Sequence, residues 1–175
     1  NRKHSFPTRR SSDLVAGTPL IAFTLRALAA AREDVPGLEP FVSTDDAEIR
    51  AASEREGFRV PTMRPPELAG DRAPSIGFVR HALDWHRRRG RSFAGVMILQ
   101  PTSPLRPAAA IVEAVRRMEA APEAASLISG YFEPAINPDI LYRVDAGGRG
   151  TPLTAGHAAG GRRQDVAPVF VRNGA

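Results

Sequence analysis

The sequence predicts an α/β fold whose core is a doubly wound, mostly parallel sheet. The first observation is alternation. Short apolar runs at Pro40–Ser43, Phe58–Val60, Gly95–Leu99 and Ala124–Ser129 are separated by longer stretches in which apolar residues recur at helical spacing. Strands that alternate with helices through short connections build parallel sheets with helices on both faces. The strands near Phe41, Met97 and Leu127 are therefore expected to be parallel neighbours in one sheet. The second observation is a change of pattern from Gly130. Ile140–Gly148 reads as a strand and turn, and Thr154–Gly161 is loose and Gly-rich.

Thr18 is the expected N-cap of the first helix and Pro19 its first helical residue. Leu20, Phe23, Leu25, Leu28 and Ala29 supply the apolar face, and Asp34, Pro36 and Gly37 end the helix. After the strand at Pro40–Ser43, Thr44-Asp45-Asp46 leads into a second helix with Ile49, Ala52 and Ala51 inward, stopped at Gly57. Adjacent carboxylates can hold a divalent cation. Equally, one of Asp45 and Asp46 can cap the helix, and both suit its N-terminal dipole. Phe58–Val60 is a second short strand. The segment Pro61–Gly70 holds too much proline for helix or sheet and reads as a stiff loop that can fix Arg64 in place. Arg64 is either a planar donor fork for a base carbonyl or a phosphate, or a surface arginine paired with Glu67. Ser75 is expected to cap a third helix running through Arg88, with Ile76, Val79, Leu83 and Trp85 on its core face. His81 lies beside that stripe, as a packed histidine or a base. The basic run Arg87–Arg91 complements the dipole at the C-terminus of that helix. Pro107–Ala120 is a fourth helix with Ile111, Val112, Val115 and Met118 inward.

Between the strand at Gly95–Leu99 and the fourth helix lies Gln100-Pro101-Thr102-Ser103-Pro104-Leu105-Arg106. Pro101 and Pro104 cannot continue a strand, and they stiffen the turn. Gln100, Thr102, Ser103 and Arg106 thus sit on a rigid strand-to-helix corner. In open α/β sheets that corner, at the carboxyl end of a strand, is where ligands bind. A plain Pro-rich connection whose hydroxyls cap the next helix has the same pattern.

The 175 residues allow one domain with a real core. They include no cysteine, so neither a disulfide framework nor a thiolate metal site is open to the chain. No apolar run approaches the roughly 20 residues of a membrane-spanning helix, and a cytoplasmic protein with no membrane partner is expected. The net charge is +5, of which the residues up to Asp13 contribute +3. Lys3 is the sole lysine in a chain rich in Arg, Ala, Gly and Pro, a bias that points to a GC-rich coding sequence rather than to a nucleic-acid partner. His4–Leu14 lacks the apolar stretch of a signal peptide and resembles the translation of a sequencing-adapter oligonucleotide. Residues 1–14 are read as foreign to the fold.

The segment Leu99–Arg106, read as LQPTSPLR, resembles the signature of the CMP-sialic acid synthetases, or acylneuraminate cytidylyltransferases. Four further segments match in the same order: Gly17–Ile21, Val42–Asp46, Met63–Ala69, and Arg163-Gln164-Asp165 followed by Arg172–Ala175. The resemblance covers nearly everything from Val15 onward. It implies a Rossmann-like nucleotide-diphospho-sugar transferase fold, with residues 15–130 as the nucleotide-binding core. Residues 131–175 are then an antiparallel excursion that swaps between the subunits of a homodimer and roofs the sugar pocket. The implied reaction transfers CMP from CTP to a nine-carbon keto-sugar acid, with Mg²⁺ as cofactor and pyrophosphate as the other product.

On the same resemblance Arg64, Ser75, Gln100 and the backbone of Ala73 contact the nucleotide, and Gln100, Thr102, Ser103, Arg163 and Asn173 contact the sugar acid. No catalytic base is assigned. The family's first strand, its Gly-rich phosphate loop and its metal-binding aspartates have no counterpart in this sequence. The chain is therefore read as an internal fragment, without metal ligands of its own and inactive as it stands. Asp139 stands near the position of a sugar-pocket lysine, a departure that puts relatives such as pseudaminic or legionaminic acid on equal terms with N-acetylneuraminate. Two other readings stay open. One is a cytidylyltransferase of the 3-deoxy-manno-octulosonate type, although that family carries an acidic residue where this chain has Thr102-Ser103. The other is a non-catalytic nucleotide- or sugar-binding module.

Overall fold

The computed structural model describes residues 13–70, 73–133, 136, 138–154 and 169–173. In chain order its elements are β1 (Leu14–Val15), β2 (Thr18–Pro19), α1 (Leu20–Asp34), α2 (Ala47–Arg55), α3 (Ser75–Arg87), α4 (Ala108–Ala120), β3 (Gly130–Glu133), β4 (Tyr142–Val144), β5 (Gly150–Pro152) and β6 (Val169–Arg172). Single 3₁₀ turns at Pro66–Leu68 and Pro138–Ile140 interrupt the loops. The chain divides into a larger unit up to Leu127 and a smaller one spanning Ile128–Gly174.

The larger unit is built on α1. Its Ala-rich sequence favours helix, and it buries Leu20, Ile21, Ala22, Thr24, Leu25 and Ala31. One side of α1 packs Ile21 and Leu25 with Val42, Ala52, Phe58 and Val60. The other side packs Ala31 with Ile111 and Val112 of α4, and Leu99 completes that cluster. Ala31 is fully buried and Ile111 is 1% exposed, so a small residue faces a branched one at the closest approach of the two helices. A bidentate Arg26–Glu56 pair, at 2.8 and 2.7 Å, ties α1 to the end of α2 at the surface. Asp46 caps α2 by accepting from the N–H groups of Glu48 (2.7 Å) and Ile49 (3.1 Å), and Gly57 with φ of 84° ends it.

Two expected caps are corrected. Thr18 does not cap α1. It pairs with Val15 in a two-residue hairpin, whose turn residues Ala16 and Gly17 both have positive φ. Pro19 then takes the N-cap position. Ser75 does not cap α3 either, because Pro74 holds that position and Ser75 is the first helical residue. Three expected core positions are exposed: Ala29 of α1, Ala51 of α2 and Ile76 of α3, the last by 53%. His86 lies inside in their stead.

The sheet departs most from expectation. The described residues form three two-stranded sheets, all antiparallel: β1–β2, β3–β6 and β4–β5. The segments around Phe41, Phe58, Met97 and Leu127 run extended outside them. Phe41–Thr44 and Val96–Leu99 instead line one cavity of about 770 Å³, together with Ile21, Leu25 and Leu28 of α1 and Phe78, Val79 and Leu83 of α3. Among the described residues no backbone ladder joins the two segments. Their apolar character matches strands buried on both faces, yet Val96, Met97 and Ile98 are exposed by 54, 38 and 39%.

In the smaller unit β3 and β6 pair in register from Gly130–Arg172 to Glu133–Val169. Phe132 and Phe170 meet edge to face, their centroids 5.5 Å apart. The β4–β5 hairpin turns on Asp145, whose carboxylate accepts from the N–H groups of Gly147 and Arg149, each at 2.9 Å.

Gly130 fits its place only because it lacks a side chain. A Cβ there would lie 2.5 Å from both the Val171 carbonyl oxygen and the Phe170 ring. Gly130→Ala is therefore expected to open the β3–β6 ladder at a cost of about 1–3 kcal/mol. Amide exchange should quicken over residues 130–133 and 169–172 and stay unchanged in α1 and α4. Ile111→Ala should do the opposite, destabilising the larger unit by about 2–5 kcal/mol in urea unfolding.

Candidate functional site

The cavity lined by the two extended segments is apolar within and polar along part of its wall. Among its polar residues are Ser43, Thr44, Asp45, Asp46, Arg64, Ser75 and Gln100. The chain leaves each extended segment at its carboxyl end through such residues, Thr44-Asp45-Asp46 in one case and Gln100-Pro101 in the other.

Arg64 is held from several directions. Its backbone N–H donates to the Thr44 carbonyl at 2.7 Å. Its Nε donates to Ser43 Oγ at 3.1 Å, and Nη2 donates to the Ser43 carbonyl. The guanidinium carbon lies 5.0 Å from the Phe78 ring centroid, a cation–π contact. Arg64 thus bonds to Ser43 rather than to Glu67. Neither Ser43 nor Phe78 was singled out by the sequence reasoning. Phe78 could have been found from its spacing, since it lies three residues after Ser75 on one face of α3.

Gln100 and Pro101 are the corner's share of the cavity wall. The corner is closed by hydrogen bonds. Ser103 N–H donates to the Gln100 carbonyl at 3.2 Å, and Arg106 N–H donates to the Ser103 carbonyl at 3.3 Å. Thr102 is exposed and Ser103 half-buried. Ala73 uses its N–H in a turn, donating to the Gly70 carbonyl at 2.8 Å. Asn173 belongs to the smaller unit, where its N–H donates to the Ser129 carbonyl at 3.2 Å and its Oδ1 accepts from Ser129 Oγ at 2.6 Å. Arg163 and the side chain of Asp139 lie outside the described residues. The structure thus brings Arg64, Ser75 and Gln100 to the lining of one cavity and leaves Ala73, Thr102 and Ser103 out of it.

For a divalent cation the fit is poor. Asp46 is committed to capping α2, and the described residues hold no cluster of three His, Asp or Glu side chains suited to a metal.

Four further polar groups are buried. Thr24 Oγ1 and His86 Nδ1, both on residues of the cavity wall, have no hydrogen-bond partner among the described residues, and the same holds for His81 Nδ1 and Arg106 Nη1. His86 is 5% exposed and sits among aromatic rings. Phe93 and Trp85 lie 4.9 Å away and Phe41 5.6 Å, centroid to centroid.

Comparison with known proteins now bears on this site. No protein-family model matches the chain. It is 36% identical over 98 residues to the N-acylneuraminate cytidylyltransferase of Escherichia coli O18:K1:H7, an overlap of 56% of this chain and 22% of that protein. It is 36% identical over 106 residues to the CMP-N,N'-diacetyllegionaminic acid synthase of Legionella pneumophila, covering 61% of this chain and 44% of the other. The N-acylneuraminate cytidylyltransferase of Streptococcus agalactiae serotype III is 29% identical over 165 residues, 92% of this chain and 37% of that protein. The chain is homologous to the acylneuraminate cytidylyltransferases. It spans less than half the length of these relatives, which by their names are nucleotidyl-transfer enzymes.

The buried imidazole gives this region a pH signature. Burial holds the His86 imidazole below its ordinary value of 6.5; Glu39 opposes that shift, while Arg91 and Arg89 add to it. In the unfolded chain the imidazole protonates as the pH falls through 6.5, whereas in the folded chain it stays neutral until lower pH. Stability from this group is therefore complete above 6.5 and is lost as the pH falls from there through the lowered folded value. The urea midpoint should drop over that window, and His86→Phe, which keeps an aromatic ring in the cluster, should flatten the drop.

Proposed function

We propose that the protein to which this chain belongs transfers CMP from CTP to a nine-carbon keto-sugar acid. The carrying observation is that Arg64, Ser75 and Gln100, distant in sequence, line one cavity in a homologue of cytidylyltransferases. In this reading the wall takes the cytidine. Arg64, already fixed by Ser43 and Phe78, directs its donors at the base; Ser75 and Gln100 supply polar contacts, and the apolar interior excludes water. Gln100, Thr102 and Ser103 contact the sugar acid in this reading, and the resemblance adds Arg163 and Asn173. Arg163 suits a carboxylate, which a guanidinium grips with two parallel bonds.

The chemistry is one displacement. The anomeric hydroxyl oxygen bonds to the α-phosphorus of CTP as the bond from that phosphorus to the bridging oxygen breaks. Pyrophosphate leaves, and the hydroxyl proton passes to a base that no residue here is assigned to be. Such a step depends on positioning and on neutralising phosphate charge. Magnesium, a phosphate loop, a homodimer and a cytoplasmic setting belong to the same proposal for the whole protein. So does the doubly wound sheet. One further strand between Phe41–Thr44 and Val96–Leu99 would pair the backbone groups of both segments and turn their apolar side chains inward.

The substrate reading keeps one refinement. An aspartate at position 139, where a sugar-pocket lysine is expected, disfavours the anionic group such a lysine would meet. One homologue is by name a CMP-N,N'-diacetyllegionaminic acid synthase. Legionaminic or pseudaminic acid is therefore proposed on equal terms with N-acetylneuraminate.

Pyrophosphate release by the full-length protein tests the reading. CTP with one of the three sugar acids should support turnover, and ATP or UTP should not; equal use of all three nucleotides would overturn it. Arg64→Ala should raise KM for CTP about 10- to 100-fold, the worth of one hydrogen bond to a charged group. The chain as it stands should release no pyrophosphate above background.

A further inference from the structure

Arg106 adjoins the proposed site without lining the cavity, and it is half-buried. Its Nη2 reaches back six residues to donate to the Gln100 carbonyl at 3.2 Å. That carbonyl also accepts the Ser103 N–H, and the Ser103 carbonyl accepts the Arg106 N–H. The result is a closed ring. One turn runs from Gln100 to Ser103, the next from Ser103 to Arg106, and the Arg106 side chain joins the end to the beginning.

Both lone pairs of the Gln100 carbonyl are thereby engaged. Pro101 and Pro104 have no N–H to compete and hold φ fixed. Leu105 is 90% exposed, so the corner has no apolar anchor of its own at that residue. What keeps it shut is the guanidinium. A guanidinium is weakly hydrated and stays charged, which suits a half-buried clip; burial lowers its pKa from the ordinary arginine value. A corner held only by its two 3.2–3.3 Å turn bonds would leave the start of the Gln100 side chain free to rotate with its peptide plane.

We propose that Arg106 is a positioning residue that clips the Gln100 carbonyl and so holds the Gln100 side chain at one place on the cavity wall. The clip itself rests on the geometry alone; its consequence for the nucleotide rests on the function proposed above.

The test has a ligand-free arm and a ligand arm, both on this chain. In the first, nitrogen NMR relaxation is measured for the Gln100 backbone and side-chain amides. Arg106→Met should lower the order parameters of both and quicken exchange of the Ser103 amide, with the Ile111 and Val112 amides of α4 unchanged. Should Arg106→Met not fold, Arg106→Lys, which retains the cation without the planar fork, should show a smaller loss of order in the same residues. Unchanged Gln100 order, or a loss spread equally through α4, would overturn the proposal. In the second arm CMP is titrated into the wild type, Gln100→Ala, Arg106→Met and the double variant. Arg106→Met should weaken CMP binding about tenfold in the wild-type background and not at all in Gln100→Ala. Additive losses would overturn the proposal. A wild type that binds no CMP, with the first arm as expected, would instead remove the nucleotide reading and leave the clip standing.

Discussion

The larger unit is governed by one constraint: an extended segment with apolar side chains on both faces must find partners for its backbone. Phe41–Thr44 and Val96–Leu99 are two such segments, both lining one cavity. An unpaired buried N–H or C=O costs about 1–3 kcal/mol, so a segment of this kind either pairs or faces water. Here it faces the cavity. α1, α3 and α4 pack around the space rather than across it, and the exposure of Val96, Met97 and Ile98 follows from that arrangement. The buried, unpartnered Thr24 Oγ1 and His86 Nδ1 belong to the same wall. Apolar side chains alone would leave both atoms unsatisfied; a strand, which brings backbone donors and acceptors, would not.

The same constraint separates what the sequence made legible from what it did not. Helices α1, α2 and α4 close their hydrogen bonds within themselves, so periodicity and flanking residues located them within a residue or two. Asp46 was legible as a cap for the same reason, and Ile140–Gly148 as a strand and turn. A parallel sheet is different, because each strand depends on neighbours remote in sequence. The apolar runs at Phe41 and Met97 carried the right composition for buried strands, but composition does not supply a partner. The antiparallel β3–β6 pair was not legible, since its register rests on the close approach of Gly130 to Phe170 and Val171. Thr18 and Ser75 were misplaced as caps because each precedes or follows a proline that competes for the same position. Thr18 also has a hairpin partner in Val15.

Of the candidate site, the residue types were readable and their supports were not. An arginine in a proline-rich loop signals a fixed cation. That Ser43 and Phe78 do the fixing depends on how α3 packs over the first extended segment, and only tertiary structure shows it. The outcome matters chemically. A guanidinium ordered in advance loses less side-chain entropy when a ligand arrives than a free surface arginine, for which that loss approaches 2 kcal/mol. The polar wall is thus preorganised on its Arg64 side by side-chain contacts from two other elements.

On the Gln100 side the means are different. The corner has no neighbouring aromatic ring and no serine hydroxyl directed at it, and it draws its stiffness from its own backbone. Two prolines remove the competing donors, two turns align the carbonyls, and one guanidinium closes the ring. A self-contained corner of this kind keeps its shape however the strand before it is paired, because none of its hydrogen bonds passes to Val96–Leu99. That independence explains how a polar wall can persist beside a cavity whose flanking segments have no ladder. The groups that would read a ligand are fixed locally, by Ser43 and Phe78 in one case and by Arg106 in the other, and sheet pairing determines only what fills the space behind them.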